Sequence, residues 1–294
     1  MSAAGTVAGL DAGELDRFVT SVLAEDLGEG GDVTSAITVP AHARLKAEIA
    51  TRQPIVLAGV VLAEAFFRHA DPGVHIERLR EDGDRLEAGT PILRLEGAGR
   101  AMLTAERSAL NTLQHLSGIA TLTRTYADAI EGTGCQLLDT RKTVPGLRVV
   151  EKYAARTGGA HNHRMRLDDG ILIKDNHVAI VGSIEEAVRS AKAANTGLEL
   201  QVEVDRIDQI EPALAAGAER LLCDNMPPAV LREAVALVAG RVPIEASGGV
   251  RLDTIRAIAE TGVDFVSVGR ITQSAPAADI GLDYAMAEVV SEAC

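Results

Sequence analysis

Cationic side chains are concentrated in one short stretch of the sequence. Residues 139–177 contain eight Lys or Arg and three His against five acidic residues, a net charge of +3, whereas the whole chain carries −13. Two like charges about 4 Å apart repel by about 4 kcal/mol at an effective dielectric near 20. Cations that converge from this stretch therefore need an anion between them. The pattern predicts a pocket for a small, highly charged anion.

Most of the cations of residues 139–177 fall into two groups. Arg148, Lys152 and Arg156 recur every four residues, which places them on one side of a helix. We expect this group to form a solvated helix face. The second group lies next to or just after apolar runs, and we expect it to line the pocket. Its members are Arg141, Lys142, His163, Arg164 and Lys174.

Two carboxylates, Glu203 and Asp224, follow apolar runs further along the chain. A polyanion would repel them unless a divalent cation stood between, or unless they faced a developing positive charge. Hard oxygen ligands together with substrate phosphates suit Mg²⁺, and carboxylates stabilise an oxocarbenium-like sugar. These residues predict glycosyl transfer from a phosphorylated sugar. The alternatives are a surface acid for Glu203 and a helix cap before Pro227 for Asp224.

The elements that position these residues are predicted to be six β-α repeats. Polar or glycine residues come at the carboxyl end of each strand, where α/β barrels build their active sites, and this favours a barrel over an open doubly wound sheet. Gly248, Gly249 and Gly269, with Ser247, are expected to bind a phosphate through backbone N–H groups. The predicted strands cover residues 135–140, 171–177, 198–205, 220–225, 242–249 and 264–269, and residues 158–163 are a candidate for a short seventh strand.

The sequence before residue 101 contains both helix-like and strand-like spacing of apolar residues. Helical spacing at 11–27 and 59–69 and alternation at 44–51 predict helices and a strand, and 25–37 is predicted to be a Gly-rich structural loop. From residue 101 a helical period continues through two predicted helices that are broken near Ser117 and Gly118.

Composition excludes several classes of protein. Aromatic residues make up 2% of the chain and Trp is absent, and the acidic balance disfavours nucleic acids and anionic membranes as partners. Cys135, Cys223 and Cys294 are too far apart for a disulfide framework or a metal-ligand spacing, which fits a reducing compartment. No signal peptide or membrane-spanning run is visible, so we expect a cytoplasmic protein.

Seven motifs, in this order and spacing, resemble the quinolinate phosphoribosyltransferase family: TRKTVPGLRVVEKYA, GGAHNHR, LIKDNH, VEVD, CDNM, EASGG and SVG. The likeness extends upstream to ERSALNTLQHLSGIAT and EDLGEGGDVTS, so it covers nearly the whole chain. It implies an α/β fold with an N-terminal α/β sandwich domain at 1–116 and an incomplete (β/α) barrel of six or seven strands at 117–274. Residues 275–294 are expected to pack on the first domain.

The resemblance also implies an activity and an assembly. Quinolinate and phosphoribosyl pyrophosphate would give nicotinate mononucleotide, pyrophosphate and CO₂, with Mg²⁺, in NAD biosynthesis. The enzyme would be a homodimer or a dimer-based oligomer with its sites at the interface.

Site residues are carried over from the family by position. Those expected to hold quinolinate are Arg141, His163, Arg164 and, from a partner subunit, Arg107. Those expected to hold the 5′-phosphate are Ser247, Gly248, Gly249 and Gly269. Those expected to act on the ribose and pyrophosphate are Lys142, Lys174, Glu203 and Asp224, with Lys142, Glu203 and Asp224 as the catalytic group and the two carboxylates holding Mg²⁺ indirectly.

Two positions depart from the family pattern. Gln273 stands where many members carry His, and Arg166 stands where many carry a small residue. A paralogous phosphoribosyltransferase acting on another pyridine carboxylate is therefore the alternative function. A molybdenum-associated paralogue and a non-catalytic anion-binding barrel are disfavoured because the RKT, NHR and KDNH motifs and both carboxylates are present.

Overall fold

The structure is a computed structural model that describes residues 8–285. The described chain forms two compact units, the first made of residues 8–122, 149–158 and 275–285 and the second of residues 123–148 and 159–274. Residues 286–294 lie outside the described residues. They include Cys294 and the end of the segment that was expected to pack on the first domain.

Twelve strands and eleven α-helices are described within residues 8–285. The strands are β1 (Arg44–Thr51), β2 (Ile55–Val56), β3 (His75–Arg78), β4 (Arg85–Leu86), β5 (Pro91–Ala98), β6 (Gln136–Leu138), β7 (Ile171–Ile173), β8 (Leu200–Val204), β9 (Arg220–Asp224), β10 (Ile244–Ser247), β11 (Phe265–Ser267) and β12 (Ile280–Ala285). The helices are α1 (Ala12–Leu27), α2 (Val33–Thr38), α3 (Val60–Ala70), α4 (Gly99–Ala129), α5 (Arg148–Thr157), α6 (Asp175–Val181), α7 (Ile184–Ala193), α8 (Ile210–Ala216), α9 (Pro228–Val238), α10 (Ile255–Ala259) and α11 (Arg270–Gln273).

The first unit is built on an antiparallel sheet with the strand order β12-β1-β5-β3. Alternation along β1 buries Ala47 and Ile49, and β5 buries Leu93 and Leu95, in a core shared with α1 and α3. In that core the rings of Phe18 and Phe66 lie 6.1 Å apart. The predicted loop at 25–37 is partly wrong, because α2 begins there. The carboxylate of Asp32 accepts a 2.9 Å hydrogen bond from the backbone N–H of Ser35 and so caps that helix.

Helix α4 corrects the prediction of two helices broken near Ser117 and Gly118. It runs without interruption for 31 residues. A Cβ atom on Gly118 would lie 2.1 Å from the carbonyl oxygen of Pro276. This glycine therefore permits a close approach of two backbones within the first unit, and it does not end the helix.

The second unit is an incomplete barrel of six parallel strands, which confirms the predicted fold class. The strand order is β6-β11-β10-β9-β8-β7, so the first strand in sequence pairs with the last. On the other side of β6, Leu138 and His161 form a single parallel bridge. Residues 158–163 thus supply one bridge in place of a seventh strand, and no strand pairing is described between that segment and β7.

Helix α5 contradicts the expected solvated face. Arg156 is exposed, but Lys152 is fully buried and its neighbour Glu151 is buried as well. The reason is that residues 149–158 belong to the first unit, where Glu151 lies 2.8 Å from Nε2 of His115 on α4. A helix packed on more than one side buries residues that its own period assigns to solvent.

None of the helices within residues 8–285 is long and apolar enough to cross a membrane.

Candidate active site

A cavity of about 840 Å³ lies at the carboxyl ends of the barrel strands. Most of its polar residues lie at or shortly after the carboxyl end of a strand, because the chain leaves every parallel strand at the same rim. Eleven of the residues selected from the sequence line this one cavity: Arg141, Lys142, His163, Arg164, Lys174, Glu203, Asp224, Ser247, Gly248, Gly249 and Gly269.

Arg107 is the selected residue that does not line the cavity. It is exposed on α4 in the first unit. Its expected role depends on a second subunit.

Arg141 and Arg164 form a cationic wall of the cavity, and neither guanidinium makes a salt bridge within residues 8–285. The Nε atom of Arg141 is buried and has no hydrogen-bond partner. Arg164 donates to the carbonyl oxygen of Gly170 at 3.0 Å. Burial, and then the nearby charge of Arg141, lower the pKa of Arg164, and the charge of Asp169 offsets part of this effect. An anion bound at the two arginines would relieve their repulsion.

Two lysines reach the cavity from different loops. Lys174 follows β7 and pairs with Glu203 on β8, whose side chain is 10% exposed. Lys142 lies in the loop after β6, where its backbone N–H donates to Thr140 Oγ1 at 3.0 Å and its carbonyl accepts from Thr272 Oγ1 at 2.8 Å. A Cβ on Gly269 would lie 2.7 Å from Lys142 Cδ. Gly269 therefore makes room for the lysine side chain.

The glycine corner, which we define as Ser247, Gly248 and Gly249, is shaped by Asn225. The φ of Gly248 is +91°, and a Cβ there would lie 2.2 Å from Asn225 Oδ1. Asn225 donates from its side chain to Asp224 at 2.6 Å and from its backbone to Ser247 at 2.8 Å. Gly248 is thus required both by its backbone conformation and by the close approach of Asn225.

Sequence reasoning missed several residues that line the cavity. Thr140, Asn225 and Arg270 lie within three residues after a strand end, and that position alone could have selected them. Arg251 also lines the cavity, and its guanidinium makes two hydrogen bonds to Asp253, at 3.0 and 3.1 Å.

Glu245 was also missed, and it is the buried acid of the cavity. It lies in the middle of β10 and is fully buried. Burial alone would raise its pKa, but hydrogen bonding with His163 and Gln201 and the charge of Arg220 hold the pKa below its usual value. An acid flanked by apolar residues in a buried strand is a signal that the sequence does contain.

The two departures from the family pattern lie in different places. Gln273 lines the cavity. Arg166 is exposed, and its Nε donates to Asp168 at 2.8 Å. Arg166 is not a lining residue, so the extra cation is neutralised by a neighbouring acid instead of entering the cavity.

The oxygen donors of the cavity fit a loosely held magnesium ion. Within residues 8–285 no group of three or more His, Cys, Asp or Glu side chains could hold a metal ion by itself. Glu203 and Asp224 both reach the cavity. One or two carboxylates, completed by water and substrate phosphates, are the usual environment of Mg²⁺.

The described cysteines are core residues and not nucleophiles. Cys135 and Cys223 are free and buried. Burial, with a smaller effect of Asp264 on Cys135 and of Glu245 on Cys223, raises the pKa of each thiol to about 12. Neither thiol forms an appreciable amount of thiolate near neutral pH.

Comparison with known protein families accounts for most of the chain. A sequence model described as quinolinate phosphoribosyl transferase, N-terminal domain, matches residues 32–117. A second, described as quinolinate phosphoribosyl transferase, C-terminal domain, matches residues 119–283.

Individual relatives agree with the family match. The carboxylating nicotinate-nucleotide pyrophosphorylase of Mycobacterium leprae is 44% identical over 90% of this chain and 95% of its own length. The probable enzyme of the same name from Bacillus subtilis is 39% identical over 96% of this chain and 97% of its own. The nicotinate-nucleotide pyrophosphorylase structure from Ehrlichia chaffeensis superposes with a TM-score of 0.89 at 37% identity, covering 92% of this chain and 98% of that one.

Proposed function

The chain belongs to the quinolinate phosphoribosyltransferase family, and from this premise we propose how its cavity carries out the reaction. The protein transfers the phosphoribosyl group of phosphoribosyl pyrophosphate to quinolinate, giving nicotinate mononucleotide, pyrophosphate and CO₂ in NAD biosynthesis. The observation that carries the residue assignment is the convergence of four cations and two carboxylates on one cavity.

Quinolinate is held by the cationic wall. Its two carboxylates meet Arg141 and Arg164, which form no salt bridge among the described residues and repel each other. Guanidinium groups bind carboxylates through paired, charge-assisted hydrogen bonds. His163 lies in the same wall. Binding the dianion here leaves the ring nitrogen to attack the ribose.

Phosphoribosyl pyrophosphate lies between the glycine corner and the two lysines. Gly269 joins the glycine corner in holding the 5′-phosphate, while Lys142 and Lys174 neutralise the pyrophosphate. The bond between C1 of the ribose and the pyrophosphate oxygen breaks, and its electron pair leaves with pyrophosphate. Glu203 and Asp224 stabilise the positive charge that develops on the sugar.

The pyridine nitrogen then forms the new bond to C1 and becomes quaternary. The bond from C2 of the ring to its carboxylate breaks, CO₂ leaves, and the positively charged ring takes up the electron pair. A proton from solvent replaces the lost carboxylate. The ring serves as its own electron sink, so decarboxylation requires no organic cofactor.

Magnesium is part of the proposal, with Glu203 and Asp224 holding it indirectly through water and substrate. When bound, the ion offsets the negative charge of the pyrophosphate that leaves. Lys174 already pairs with Glu203, which supports an indirect role for that carboxylate.

The activity is tested with purified protein and carboxyl-labelled quinolinate. Release of labelled CO₂ is expected only when phosphoribosyl pyrophosphate and Mg²⁺ are both added. Turnover of another pyridine carboxylate, with none of quinolinate, would favour the paralogous activity. Asp224→Asn is expected to abolish release, because the neutral amide cannot stabilise the developing charge.

A homodimer or a dimer-based oligomer, with Arg107 of one subunit completing the site of the other, is also proposed. Its support is that Arg107 is exposed on α4 and is not one of the cavity-lining residues. Arg107→Ala and Lys174→Ala should each be inactive alone. Mixed dimers of the two should recover activity, because one site in each pair then has both residues intact. An absence of recovery in verified mixed dimers would argue against a shared site.

A cytoplasmic location remains a prediction. It is supported by the two buried free thiols, Cys135 and Cys223, since reduced cysteines fit a reducing compartment. Fractionation of the native cells with an antibody to the protein tests it directly.

A further inference from the structure

Both ring nitrogens of His163 are engaged by the protein itself. Nδ1 accepts a 2.8 Å hydrogen bond from the backbone N–H of Arg164. Nε2 lies 3.1 Å from Gln201 Oε1 and 3.4 Å from Glu245 Oε2. A nitrogen that accepts an N–H bond carries no proton, so the proton of the ring is on Nε2. The geometry therefore fixes a neutral ring that donates towards Gln201 and Glu245.

The carboxylate behind His163 is neutralised from another direction. Glu245 is fully buried and accepts from Gln201 Nε2 at 2.8 Å and from Arg220 Nη2 at 3.0 Å. The guanidinium of Arg220 also stacks over the ring of Phe265, 4.0 Å from its centroid. Arg220 thus balances the charge of Glu245, and His163 does not need to be protonated for that purpose.

The backbone beside the ring is held by a second buried acid. Asp139 accepts from the backbone N–H of His163 at 2.8 Å and from Asn162 Nδ2 at 2.6 Å. It is fully buried as well. The segment that carries Arg164 is therefore fixed on two sides, at its peptide bond by Asp139 and at its imidazole by Glu245 and Gln201.

We propose that Glu245 and Gln201 are positioning residues for recognition of the pyridine dicarboxylate. They hold His163 as a neutral ring protonated at Nε2, and the ring in turn fixes the backbone of Arg164, whose guanidinium meets the substrate. His163 therefore positions Arg164 of the cationic wall and adds no charge to it. The inference rests on the proposed function, since it takes the ligand of Arg164 to be quinolinate.

The energetic reason is that a half-satisfied buried network is costly. Removing the charge of Glu245 leaves the largely buried Arg220 with only the more distant Glu199, at 3.8 Å, and can bring amide donors against other donors. The side chains nearest to the missing charge, His163 and Gln201, must then rearrange. Partners behind a ligating group typically change affinity about 10- to 100-fold when they are lost.

The kinetic test compares Glu245→Gln with a matched control. Glu245→Gln should raise KM for quinolinate at least about tenfold and leave KM for phosphoribosyl pyrophosphate nearly unchanged. The control is Glu64→Gln in the first unit, which is also a buried carboxylate and accepts from Arg78 at 2.5 and 3.0 Å. It should lower Tm without changing either KM. Equal increases in both KM values for Glu245→Gln would overturn the proposal.

A second variant keeps the test usable if Glu245→Gln does not fold. Gln201→Leu retains the pair between Glu245 and Arg220 and removes the bridge to His163. It should raise KM for quinolinate selectively, by less than Glu245→Gln does. No selective change in this variant would contradict the positioning role.

A spectroscopic test needs no substrate. Long-range ¹H–¹⁵N correlation spectra at pH 7 should show His163 as the Nε2–H tautomer, assigned by loss of its signals in His163→Gln. In Glu245→Gln that single form should be lost. A doubly protonated His163 in the native protein would refute the proposal. Failure of the native protein to release CO₂ would instead refute the proposed function and leave this result standing.

Discussion

The two arginines of the cationic wall differ in ion pairing from the cations on the sheet of the first unit. On the sheet, Arg94 lies between Glu48 and Glu77 at 3.0 and 3.4 Å, and Lys46 lies 3.3 Å from Glu96. In the cavity, Arg141 and Arg164 form no salt bridge among the described residues, and the charge of Arg141 lowers the pKa of Arg164. Exposed pairs contribute little to stability. Unpaired cations oppose the folded state, and they mark the place where an anion supplies the missing partner.

Among these comparisons, the largest expected effect comes from removing one arginine of the cationic wall. Arg141→Ala should lower kcat/KM for quinolinate about 10²- to 10³-fold, because a desolvated charged contact is lost. Its Tm without substrate should stay the same or rise, since repulsion of Arg164 is relieved. Steady-state assays and thermal scans measure both.

Arg78→Ala is the matched control in the first unit. Arg78 pairs with Glu64 at 2.5 Å and Glu81 at 2.9 Å. Removing it leaves Glu64 buried without that partner, so Tm should fall by about 3 °C while turnover is unchanged. If Arg141→Ala lowered Tm as much as Arg78→Ala does, the contrast between the two regions would be wrong.

An intermediate effect is expected from filling the space beside Lys142. Gly269→Ala places a Cβ 2.7 Å from Lys142 Cδ and should displace the ammonium group, lowering kcat about 10- to 100-fold. The φ of Gly269 is −67°, so backbone strain does not contribute.

Gly30→Ala is the steric control for that variant, because the nearest atom to its Cβ would be 4.0 Å away. It should leave kcat unchanged. An unaltered kcat in Gly269→Ala would show that the position of Lys142 does not limit the reaction.

The smallest effect is expected on the sheet. Arg94→Ala should change Tm by less than about 2 °C, because exposed ion pairs are screened by water and salt. Its kinetic constants should match those of the native enzyme. A clear loss of activity in Arg94→Ala would mean that the charges on the sheet affect the active site. That result would contradict the proposed difference between the two regions.

The strand ends show what the sequence can predict. The six predicted barrel strands are confirmed within a few residues at each end, because each combines an apolar run with a following polar or glycine residue. The cavity residues could be selected for the same reason, since parallel strands release the chain at a shared rim. The family resemblance added Arg107, which spacing alone would not have indicated.

The errors arose where packing from outside an element decides its exposure. Lys152 is buried although its helix period points it to solvent, because α5 belongs to the first unit. Gly118 lies within a continuous helix because it accommodates Pro276. Glu245 and Gln201 make their contacts across strands 44 residues apart. Such long-range contacts leave no periodic signal in a single sequence.

The position of β12 has a consequence for synthesis of the protein. This strand pairs with β1 at the edge of the first sheet, more than 200 residues downstream of it. On the ribosome, β1 therefore has an unpaired side until residues 280–285 have emerged. An open strand edge can pair with other chains. A polypeptide truncated before residue 280 is therefore expected to aggregate, although it contains every cavity-lining residue.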